Sequence, residues 1–72
     1  MLNMKRLGTR IAFLRKKANL RQWQVAERCG VSIQAVSKWE TGLNCPDLLL
    51  LDDLAAVLGV EIKDLFDFEE GI

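Results

Sequence analysis

The chain has 72 residues, half of them apolar and 28% charged, with ten basic and ten acidic side chains. A chain of this size has room for one domain, here 1–72, and its apolar content excludes a disordered polymer. No apolar run is long enough for a membrane span or a signal peptide, so no membrane partner is expected and the cytoplasm is the expected location.

Apolar residues recur at three- and four-residue spacings without sustained alternation, which predicts an all-α, compact five-helix fold. The first helix is expected over about Lys5 to Ala18, with Leu7, Ile11, Leu14 and Ala18 turned inward and Asn19 adopting the left-handed turn that stops it. The second covers about Gln22 to Arg28, burying Val25, Ala26 and Cys29, and Gly30 supplies the turn after it. Ser32 caps a third helix at about Ile33 to Thr41, and Gly42 closes it. Asp47, after the single proline Pro46, caps a fourth at about Leu48 to Leu58, which Gly59 ends. A short fifth helix, about Ile62 to Phe66, is expected to bury Ile62 and Leu65, leaving residues 67–72 as a tail.

The balanced charge hides an asymmetry. Residues 1–39 carry nine of the ten basic side chains and one acid, Glu27; residues 40–72 carry nine acids and one base, Lys63. Such a molecule attracts a polyanion at one pole and repels it at the other, because the local field and not the sum is what a partner meets.

Two short helices joined by a glycine-containing turn, about residues 22–41, form a helix-turn-helix pattern. Val25, Cys29, Val31, Val36 and Trp39 fall where such a pair needs apolar side chains, Ala26 where the helices cross, and Gly30 in the turn. The segments IAFLRKKANLRQWQVAERCGVS, VSKWETG and CPDLLLLDDLAAVLGVEIKDLF extend the match, and over Leu7 to Phe66 the chain resembles the lambda-repressor-like, or Xre-type, family of helix-turn-helix regulators. That resemblance implies a domain of five helices whose third enters the major groove of double-stranded DNA. It also implies a homodimer on a palindromic operator; a repressor is the expected role, with repression or activation set by where the operator lies relative to a promoter.

On the third helix Ile33, Gln34, Ser37, Lys38 and Thr41 share the outward face. Gln34 suits adenine, Lys38 guanine, Ile33 a thymine methyl, and Ser37 either kind of base. The resemblance implies base contacts at Ile33, Gln34 and Lys38, with Ser37 close by. Phosphates are expected at Arg21, at Gln22, which opens the second helix and carries the same role in the family, at Ser32, and at Thr41 with the amides around it and Gly42. Arg10 and Lys16 or Lys17 add longer-range attraction. Where the family often carries Lys or Arg after the third helix, this chain has Leu43, Asn44 and Cys45, which predicts a weaker grip.

Glu40 opposes the dipole at the end of its helix and requires a cationic partner. The resemblance supplies Arg15, the two forming a structural brace. Exposed Trp23 either packs over a long side chain such as Arg10 or serves a partner. The inward stripe of the fourth helix is expected to be Leu48, Leu51, Leu54, Ala55 and Leu58, which Leu49 and Leu50 widen; with Val60, Phe66, Phe68 and Ile72 these two offer a dimer surface, the alternative being a wider core that takes in Leu50.

Two cysteines without C-x-x-C spacing, and no histidine, make neither a disulfide framework nor a zinc site, so no metal is expected. Cys29 is expected in the core and Cys45 in an exposed turn. With no histidine, tyrosine or glycine-rich phosphate loop, the chain gives no support for an enzyme, a cofactor or a small-molecule substrate. The rival reading is a protein-binding module of the same fold, an antitoxin or a regulator's partner, with weak or no specific DNA binding.

Overall fold

Four backbone turns with positive φ, at Asn19, Gly30, Gly42 and Gly59, divide the described residues into helices. The computed structural model describes residues 3–66. Within them run α1 (Met4–Lys17), α2 (Gln22–Cys29), α3 (Ile33–Thr41), α4 (Leu48–Leu58) and α5 (Ile62–Leu65). At each turn two successive amides fold back onto the preceding helix. After α3, for example, Gly42 N–H donates to the Trp39 carbonyl at 3.2 Å and Leu43 N–H to that of Lys38 at 2.9 Å. This satisfies helix-end carbonyls that would otherwise be unpaired. The residue that follows the left-handed one leans on the core in three of the four turns (Leu20, Val31, Val60), whereas Leu43 is 70% exposed.

Side-chain caps set the other ends. Asn3 Oδ1 accepts from the amides of Lys5 and Arg6 at 3.0 and 3.1 Å, so α1 begins one residue earlier than its apolar pattern predicts. Ser32 Oγ accepts from Ala35 N–H at 3.1 Å, and Asp47 Oδ1 from Leu49 N–H at 3.3 Å.

One core joins all five helices, with Ile11, Val25, Val36, Leu54 and Leu65 fully enclosed. Burial of each such side chain stabilises the fold by roughly 1.5 to 3 kcal/mol. Through this core α1 packs on α3, α2 on both α3 and α4, and α5 on α4 and α1. Gly8 lies buried where α1 meets the end of α3. A Cβ there would stand 2.1 Å from the Trp39 carbonyl oxygen and 2.8 Å from that of Glu40, so the two backbones approach as closely as only glycine permits.

Three expected core positions lie outside it. Ala18 is exposed, because α1 ends at Lys17 and the chain has begun its left-handed turn. Ile62 is 41% exposed at the first position of a four-residue helix too short to bury a whole stripe. Leu48 is 78% exposed, one turn ahead of where α4 meets the core. Leu50, by contrast, packs against the core, as do Val60 and Phe66, so these three are not a free dimer surface. Phe68, Ile72 and the predicted tail lie outside the described residues.

Candidate nucleic-acid interface

The second and third helices carry two kinds of candidate contact group. From α3, Val36 and Trp39 point inward, at 0 and 4% exposure, and leave Ile33, Gln34, Lys38 and Thr41 exposed with Ser37 half-buried between them. The row follows from the 3.6-residue period: Ile33 and Ser37, and Gln34 and Lys38, are each one turn apart. Among the described residues the Gln34 carboxamide has no hydrogen-bond partner and the Lys38 ammonium no carboxylate within ion-pair distance. Both therefore keep their full hydrogen-bonding capacity for an incoming ligand.

At the start of α2, the amides of Gln24 and Val25 are taken by the Arg21 carbonyl, and Gln24 Oε1 accepts from Arg21 N–H at 2.8 Å. The amides of Gln22 and Trp23 have no acceptor among the described residues and point out of the helix with its positive end. Ser32 spends only an oxygen lone pair on its cap and keeps its hydroxyl hydrogen.

The other expected phosphate donors are differently placed. The Thr41 hydroxyl donates back to the Ser37 carbonyl at 3.0 Å, and the amides of Gly42, Leu43 and Asn44 all return to carbonyls of α3. The left-handed turn at Gly42 consumes donors that the sequence alone left open. Arg10, expected to attract at long range, donates from Nε to the Asp64 carbonyl at 2.8 Å and lies 5.6 Å from the centre of the Phe13 ring. It ties α1 to α5, and the exposed Trp23 is not what it covers.

Beneath this surface runs a polar chain. Arg15 Nε and Nη2 donate to Glu40 Oε2 and Oε1 at 2.6 and 3.1 Å, and Arg15 Nη1 donates to the Leu20 carbonyl at 2.9 Å. Gln22 Nε2 donates to Glu40 Oε1 at 3.0 Å. The Gln22 contact and the close approach at Gly8 were not foreseen. The first joins residues 18 apart and leaves no local pattern, but a glycine inside a helical repeat, costing about 1 kcal/mol relative to alanine, was a readable signal.

Elsewhere, Cys29 is buried and Cys45 exposed. Burial pushes the Cys29 thiol above its ordinary value, and the Asp53 carboxylate adds to the shift. Among the described residues there is no cluster of metal-binding side chains and no helix long and apolar enough to cross a membrane.

The helix-turn-helix family pattern matches residues 11–65. An uncharacterized HTH-type transcriptional regulator of Archaeoglobus fulgidus is 37% identical over 64 residues, which span 89% of this chain and 90% of that protein. The HTH-type transcriptional activator BcrR of Enterococcus faecalis is 40% identical over 57 residues, covering 79% of this chain and only 28% of its own length. Among solved structures, the restriction-modification controller protein C.AhdI from Aeromonas hydrophila superposes with a TM-score of 0.83 at 28% identity, over 88% of this chain and 96% of that one.

Proposed function

The chain belongs to the lambda-repressor-like helix-turn-helix family of DNA-binding transcriptional regulators, and on that premise we propose that it is a sequence-specific repressor that lays α3 in the major groove of a palindromic operator. The observation that carries this reading is the outward row of α3, whose unpartnered Gln34 and Lys38 lie, like the open amides of α2, on the basic half of the chain. In this arrangement Ile33, Gln34, Ser37 and Lys38 read bases. Arg21, Gln22 and Ser32 hold phosphates, and Thr41 joins them when its hydroxyl turns away from the Ser37 carbonyl. The Arg15–Glu40 pair braces α3 against α1.

The partner copy in the homodimer is assigned to Leu48 and Leu49, which α4 leaves 78 and 84% exposed. A dimer reads two half-sites one helical turn, about 34 Å, apart. Bound across a promoter, it represses by occupying the DNA.

Selection of bound sequences from a random duplex pool tests the reading, with a reporter promoter that carries the recovered site. A two-fold symmetric motif and lower reporter output are expected; recovery of no motif at moderate salt contradicts sequence-specific binding. The same exposed leucines, with Leu43 and Trp23, favour as a second reading a protein-binding module that uses DNA weakly. Under that reading the selection returns only unrelated sequences.

A further inference from the structure

Glu40 is an acid at the foot of the helix that faces DNA, yet it is joined to a group on the phosphate side. Gln22 reaches from the first turn of α2 and donates one Nε2 hydrogen to Glu40 Oε1 at 3.0 Å. A carboxylate only accepts, so the carboxamide must turn its nitrogen toward Glu40; the flipped form would set two oxygens against each other. Nor is Glu40 free to swing, since Arg15 grips both its oxygens and is itself anchored on the Leu20 carbonyl. A glutamine at a helix start ordinarily samples several rotamers, and fixing it on binding costs free energy. Here it is fixed beforehand, and its second Nε2 hydrogen has no acceptor among the described residues.

We propose that Glu40 is a positioning residue for the DNA backbone: it holds the Gln22 carboxamide so that the second Nε2 hydrogen is presented to a phosphate oxygen. The inference rests on the DNA-binding reading above and deepens it. The acid at the foot of α3 is neutralised by Arg15 and put to use through Gln22, where an unpaired carboxylate would repel the duplex.

Two measurements on the full chain test it. In the first, side-chain and backbone amide resonances are followed while a duplex bearing the selected motif is added. Expected is a shift of one Gln22 Nε2 proton together with the α3 amides. Movement of α3 with the Gln22 side chain unmoved overturns the proposal alone, whereas no movement of α3 overturns the DNA-binding premise and the proposal with it. The second measurement is a cycle of Gln22→Met, Glu40→Gln and the double variant, each checked by circular dichroism for a folded state. Glu40→Gln keeps the volume but leaves one oxygen for Arg15 and turns a nitrogen toward Gln22. Each single change should weaken binding to every sequence about tenfold, and the double variant no more than Gln22→Met alone. A Glu40→Gln penalty of equal size in both backgrounds overturns the positioning role. Should that variant not fold, the titration of the unaltered chain decides.

Discussion

Arg15 on α1 grips both carboxylate oxygens of Glu40 on α3, through bonds of 2.6 and 3.1 Å, with the two side chains only 12 and 8% exposed. Removing one member of so enclosed a pair leaves the other charged and poorly solvated. Arg15→Ala should therefore cost about 3 kcal/mol, a large share of the stability of so small a domain. Thermal melting checks this, and an unchanged midpoint removes the brace from the account.

The same two helices meet at Gly8, where a methyl group would press on the Trp39 carbonyl oxygen from 2.1 Å. Alanine improves helix propensity by about 1 kcal/mol, but this cannot offset a clash with backbone that has no flexible end to yield. Gly8→Ala is expected to lower urea stability by about 2 kcal/mol net. A gain in stability would show that α1 and α3 are not in this close contact.

Cys45 should react with a maleimide within minutes in the folded protein, and Cys29 only on unfolding, since the one is exposed and the other buried. Because the folded thiol of Cys29 is raised above its ordinary value, the unfolded chain loses that proton first as pH rises. Its contribution to stability is complete below the ordinary thiol range and fades as pH climbs toward the raised value. Cys29→Ala should flatten this alkaline loss relative to the parent chain, measured by urea unfolding at neutral pH and above pH 9. Parallel curves for the two proteins contradict it.

Leu48 and Leu49 contribute little to the monomer core, so replacing both with serine should leave the melting midpoint within about 2 °C at a concentration where the chain is monomeric. If these leucines seat the proposed partner copy, sedimentation of the same variant should show a monomer where the parent chain dimerises and, with it, weaker binding to the full two-fold site. A dimer that persists assigns the partner surface elsewhere.

Helix order and almost every boundary were legible because each helix in this chain is punctuated locally. Asn19, Gly30, Gly42 and Gly59 each adopt the left-handed turn their residue type announces, and Ser32 and Asp47 cap as their hydroxyl and carboxylate suggest. Phase within α4 was not legible. Leu48 to Leu51 are four identical side chains, and a run without polar interruption has no period from which to tell the exposed pair from the half-buried pair that packs on the core. The outward row of α3 could be counted from Val36 and Trp39. What joined it to the other helices could not, because the Gln22 contact and the Gly8 approach exist only once three helices are packed together. The spent donors of Thr41 and Gly42 belong to the same class: the residue types promised hydrogen-bond capacity, and the turn geometry used it.

Sequence reading by α3 is the central claim, and affinity measured on the selected site and on its single-base variants tests it most directly. Gln34→Ala and Lys38→Ala should each cost roughly 1 to 3 kcal/mol on the selected site and erase the preference at one base position, while Arg21→Ala weakens all sequences alike and lowers the salt slope by about one. If Gln34→Ala and Lys38→Ala instead bind the selected site and its variants as the parent chain does, α3 does not read the operator.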